Sequence, residues 1–217
     1  MSNESIQAYQ NADNFALAQR MAQSLAASTV VPTQYQNNIG NCLVALDVAS
    51  RVGCSPFLVM QNLDIIHGRP TWNSKFIIAT LNSCGRFDNI RFEFFGDEGK
   101  DTFGCQCIAV NVATGEIVKG ERITIEMAKK EGWYTRSGSK WPTMPRQMLQ
   151  YRAASFFSRI YAPDILFGMQ SSDEIRDTTS EPTRIKTEFA EAVVVESKPE
   201  PKQAPASKQA PKQDDLF

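Results

Sequence analysis

Apolar side chains recur along this chain with two periods, one near 3.6 residues and one of 2, and the switches between them mark the predicted elements. Phe15, Ala18, Met21, Ala22 and Leu25 fall on one helical face, capped by Asp13 or Asn14 and stopped by the β-branched and proline run from Thr29 to Pro32. Ile39, Cys42, Leu43, Leu46 and Ala49 define a second helix that ends at Gly53, a residue suited to the left-handed closing position. Ser55 and Pro56 start a short helix. "LDIIHGRPTW" reads as two strands about a His67-Gly68 turn, and Asn73 or Ser74 caps a helix over KFIIATLNSC, closed by Gly85.

The period then shortens. Ile90, Phe92 and Phe94 alternate in "NIRFEFF", and "TFGCQCIAVNV" and "EIVKGERITI" follow after links at Asp97 to Lys100 and at Thr114-Gly115. Links this short join antiparallel neighbours, so the three segments predict a meander. A short helix follows Thr124, then a Gly-rich aromatic loop, "GWYTRSGSKW", then a long helix within "WPTMPRQMLQYRAASFFSR" with Pro145 in its first turn. Leu149, Ala153, Phe156 and Ile160 form its expected apolar stripe. The fold class is therefore α+β: N-terminal helices, a three-stranded antiparallel meander and a long basic helix, in one core domain over residues 1–177. Residues 178–217 turn to Pro, Lys, Gln, Ala and Glu, a tail too poor in apolar side chains to build a core.

Composition narrows the class further. A chain of 217 residues with 42% hydrophobic content supports one ordinary core. Without a long uncharged apolar run, and with a polar N-terminus, the expectation is a cytoplasmic protein lacking a membrane span or secretory leader. Five cysteines (Cys42, Cys54, Cys84, Cys105, Cys107) sit in apolar segments without a C-x-x-C pair, and His67 is the single histidine. They read as reduced core thiols, with no metal site and no cofactor expected.

Charge is uneven. The formal net charge is -1, yet residues 119–163 hold nine Lys and Arg against three Glu. On the long helix Arg152 and Arg159 lie about 20° apart at 100° per residue. Arg146 belongs to the first turn, where open backbone N–H groups favour an anion. Lys129, Lys130, Arg136 and Lys140 precede it, interleaved with Trp133, Tyr134 and Trp141. Cations beside aromatic faces suit a groove for single-stranded nucleic acid, where charge holds phosphates and rings stack bases.

Residue order adds to this. Pro145, Arg146, Met148, Leu149, Arg152, Ala153 and Arg159 follow P-[KR]-x-M-L-x-x-[KR]-A-x(5)-R, the pattern of the RecT and lambda Red beta superfamily of phage single-strand annealing proteins. "ALDVASRVGCSP" resembles the family's helix followed by G-x-x-P, and "NSKFIIATLNSCGRFDNIRFEF" resembles its helix leading into the first strand. Trp141 sits where the family places a Trp before the basic helix. The resemblance covers about residues 35–177. Gln147 and Gln150 replace basic residues of the family, and the tail replaces a folded C-terminal domain. The resemblance implies ATP-independent binding of single-stranded DNA and annealing to a duplex, by a homo-oligomer in ring or filament form. It implies a phage or prophage recombination protein in a bacterial host, often with a companion exonuclease. Arg146, Arg152 and Arg159 carry over as strand contacts; Lys129, Lys130, Arg136, Lys140, Trp133 and Trp141 come from charge and aromaticity alone.

Two alternatives stay open. One is a single-strand DNA-binding protein without annealing activity. The other is a metal-dependent nuclease, because Glu98 and Lys100 spell E-x-K and Asp64 is an acid near a strand. At the far end, Gln213, Asp214, Asp215, Leu216 and Phe217 resemble both a sliding-clamp peptide and the acidic tip of bacterial single-strand binding protein. Either mode would bury Phe217 in a partner pocket at the end of a tether.

Overall fold

The computed structural model describes residues 12–178, and over that span the chain is α+β, with seven helices and two small antiparallel sheets. Helices α1 (Ala12–Ala26), α2 (Ile39–Val52) and α3 (Pro56–Asn62) lead into a hairpin of β1 (Leu63–Ile66) and β2 (Arg69–Trp72). After α4 (Ser74–Ser83) comes the second sheet, β3 (Arg91–Phe95), β4 (Gly104–Val110) and β5 (Ile117–Thr124), in spatial order β3-β4-β5. Helices α5 (Ile125–Lys130), α6 (Pro145–Tyr161) and α7 (Ser172–Thr178) complete the order.

Helix ends follow local chemistry. Asn38, Asn73 and Thr124 accept hydrogen bonds from Asn41 N (3.0 Å), Lys75 N (2.9 Å) and Met127 N (3.1 Å), covering amides that have no partner in the first turn. Pro56 and Pro145 occupy first-turn positions, where a missing N–H costs nothing. Gly53 closes α2 at φ +69°, where a side chain would strain the backbone.

Burial in the larger sheet alternates with the pleat. Cys105, Cys107 and Ala109 of β4 point inward and are buried, whereas Gln106, Ile108 and Val110 are half-exposed. Helix α6 crosses the inner face of β4 and β5 with Leu149, Ala153 and Phe157, all fully buried. Gly120 of β5 permits this approach: a Cβ there would lie 3.2 Å from the Phe157 ring and 3.2 Å from the Cys107 carbonyl oxygen. The buried stripe thus differs from the expected one. Phe157 takes the core position, Phe156 is only half-buried, and Ile160 faces outward, because the sheet meets the helix one residue further round than apolar spacing suggests.

On the N-terminal side, small residues let helices approach closely: Ala22 and Ala26 of α1 share a core with Cys42, Ala45 and Ala49 of α2. Tyr35, fully buried, donates its hydroxyl to the Leu63 carbonyl at 2.6 Å and so ties the loop after α1 to the first hairpin. All five cysteines are free thiols, three of them buried. No single helix among the described residues is long and apolar enough to cross a membrane.

Candidate functional site

The long helix spends two of its arginines internally. Arg152 is 3% exposed; one of its terminal nitrogens pairs with Asp177 and the other lies 3.8 Å from Glu174. The Trp133 ring covers it, with the guanidinium carbon 3.9 Å from the ring centroid. Asp177 also accepts from Trp141 Nε1 at 2.9 Å. Burial lowers the Arg152 pKa and raises that of Asp177; it is opposed at the guanidinium chiefly by Asp177 and then Glu174, and at the carboxylate by the Trp141 hydrogen bond and then Arg152. One oxygen of Glu174 takes Arg159 at 2.8 Å, while the second accepts from Ser171 N (2.9 Å) and Ser171 Oγ (3.1 Å). Ser171 Oγ in return accepts from Glu174 N at 3.2 Å, a capping-box arrangement that fixes the start of α7. Together these contacts fasten α7 to α6.

Three expected contact residues are corrected by this arrangement. Arg152 cannot reach a polymer phosphate from its buried position, and Trp133 and Trp141, at 5% and 0% exposure, offer no face for a base. Their loop folds back on itself: Ser139 Oγ donates to the Trp133 carbonyl at 2.7 Å, and the two indoles pack 5.8 Å apart. Arg159 is intermediate, one-third exposed but already paired with Glu174. Arg146 is exposed, lies over the Phe94 ring at 4.2 Å and meets Glu98 at 3.4 Å. Lys129 and Lys130 of α5 are exposed and paired with Asp101 (2.5 Å) and Glu126 (2.6 Å), and these hydrogen bonds raise both ammonium pKa values.

Arg136 and Lys140 come together with two cations that charge clustering did not single out. Two adjoining cavities, ≈ 280 and ≈ 180 Å³, share Lys140, Met148, Asp173 and Arg176 and form one groove. Arg136 lines one end and Lys75 the other. The groove runs past the 136–140 loop, the start of α6 and the outer face of α7. Its two acids are engaged: Asp173 accepts from Ser74 Oγ at 2.6 Å, and Asp177 serves Arg152. Lys75, Arg136 and Lys140 have no ion-pair partner among the described residues, and Arg176 has a loose one, Asp64 at 3.5 Å. The floor includes apolar Ile66 and buried Met148. Such a site presents four positive ends over a partly apolar base, suited to a polyanion with flat apolar parts.

Lys75 stands in a helix of otherwise mixed polarity and Arg176 in an acidic stretch, so neither belongs to a sequence cluster of charge. The S-x-x-E spelling of Ser171 to Glu174 was the one local sign that α7 begins there.

The E-x-K residues lie in exposed ion pairs. Glu98 meets Arg146, and Lys100 pairs with Asp97 at 2.7 Å in a hairpin tip. Among the described residues, no group of three or more His, Cys, Asp and Glu side chains is placed to hold a metal ion. Gln213, Asp214, Asp215, Leu216 and Phe217 lie outside the described residues. Comparisons with protein-family models, curated proteins and solved structures find no match to this chain.

Proposed function

We propose that this chain binds single-stranded DNA and anneals complementary strands without ATP, as a member of the RecT and Red beta type of recombination protein. The observation that carries the reading is the groove in which Lys75, Arg136, Lys140 and Arg176 converge. The order of residues along α6 supplies the link to the family, and an α+β fold is the class that this reading expects.

In this reading the groove neutralises the backbone of one extended strand and leaves base edges open. A second strand then pairs with little further ordering cost, because the first is already straightened. Neighbouring subunits in a ring or filament extend the track. Arg152 acts as a positioning residue: by holding Asp177 it sets α7, and α7 presents Arg176 to the groove. A cytoplasmic, phage-encoded setting, a companion exonuclease and docking of the C-terminal tip on single-strand binding protein or the sliding clamp belong to the same proposal.

The deciding experiment mixes the full chain with labelled complementary oligonucleotides in EDTA. Faster duplex formation with intact strands supports annealing. Protection of strands without acceleration leaves the plain binding protein, and strand shortening when magnesium is restored supports the nuclease. No retention of single strands at low salt overturns the proposal.

A further inference from the structure

A second cluster of cations lies on the other flank of α7. Its Asp173, Arg176 and Asp177 face the groove described above, whereas Ile175, about half a turn away, faces a cavity of ≈ 480 Å³ between β2, the end of α6 and the 167–170 turn. Arg69, Arg159, Phe167 and Gln170 line it, and no acidic side chain does, although Arg159 is already paired with Glu174 at 2.8 Å. Arg69 is exposed, and its side chain has no ion-pair or hydrogen-bond partner among the described residues. Phe167 stands out through its backbone. At φ +52° it holds a left-handed conformation that bulky side chains rarely adopt. Hydrogen bonds on either side keep it there, from Gly168 N to the Pro163 carbonyl (3.0 Å) and from Met169 N to the Leu166 carbonyl (3.1 Å). The turn sends Leu166 into the core and leaves Phe167 44% exposed, with no aromatic or cationic contact to its ring among the described residues.

We infer that Phe167 and Arg69 form a second strand-contact subsite in which an unpaired base stacks on the Phe167 ring and the Arg69 guanidinium holds an adjacent phosphate. The inference rests on the single-strand reading above and adds to it a place outside the first groove. An apolar protein segment would leave the Arg69 guanidinium without an anion, and a simple phosphate would leave the ring unused. An unpaired nucleotide uses both.

The test compares oligothymidylate with an abasic oligonucleotide of equal length, by fluorescence anisotropy on the full chain and its Phe167→Leu, Phe167→Tyr and Arg69→Ala variants. Stacking makes wild type prefer the base-bearing strand. Phe167→Leu should reduce that preference about fivefold and leave abasic affinity unchanged, Phe167→Tyr should keep it, and Arg69→Ala should weaken both strands alike. An unaltered preference in Phe167→Leu overturns the subsite. If wild type and Lys140→Ala differ in strand binding while Phe167→Leu matches wild type, only the subsite fails. If wild type binds neither oligonucleotide, the single-strand reading fails with it.

Discussion

Arg152 on α6 and Asp177 on α7, 25 residues apart in sequence, form a buried ion pair roofed by the Trp133 ring. A buried pair contributes little net stability over apolar replacements, but removing one partner strands the other charge away from water. Asp177→Ala should therefore lower unfolding free energy by about 3–5 kcal/mol. In thermal denaturation this is a fall of roughly 10 °C for a chain of this size. Arg152→Ala should behave alike, so its loss of strand binding would come with loss of fold. An unchanged melting temperature in both variants would remove the positioning role assigned to Arg152.

The groove cations predict a different signature. Lys75→Ala and Lys140→Ala remove exposed charges without internal partners, so stability should move by less than about 0.5 kcal/mol. Each should reduce the slope of log affinity against log salt by about one, if each meets a phosphate. Titrations between low and moderate salt read this directly. Slopes equal to wild type in both would place the strand elsewhere.

Packing of α6 on the sheet is testable at Gly120. The Cβ of Gly120→Ala would press on the Phe157 side chain and the Cys107 backbone, neither at the free end of a flexible chain. A cost of about 1–3 kcal/mol is expected from such overpacking, measured by urea denaturation. A neutral or stabilising result would mean that the helix sits further from β5 than described.

Thiol chemistry separates the two classes of cysteine. Burial pushes Cys105 and Cys107 up to about 12 and also raises Cys42, so these thiols stay protonated at neutral pH. Because the thiolate is the reactive form, Cys54 and Cys84 should react first with a disulfide reagent, and the other three only on unfolding. Rapid labelling of Cys105 in the native protein would contradict the inward face of β4.

Local rules carried the fold well because the interactions they describe are local. Gly53, Asn73 and Thr124 end or begin helices through contacts within a few residues, all visible in sequence. Alternation in β3 and β4 likewise follows from the pleat. The site was less legible. Arg152 and Arg159 look like an exposed basic edge until Glu174 and Asp177, far along the chain, are folded against them. Aromatic residues in a Gly-rich loop suggest exposure, yet Trp133 and Trp141 are drawn inward by each other and by Asp177. Lys75 and Arg176 meet Lys140 only through tertiary approach, which no window of sequence contains.

The capping box at Ser171 has a practical corollary for anyone shortening this chain. A fragment cut before α7 would lose Glu174 and Asp177 together and uncover two guanidiniums seated against apolar rings. A shortened chain should therefore keep at least α7, and a failed truncation upstream of it would report on a missing brace before it reported on a missing binding surface.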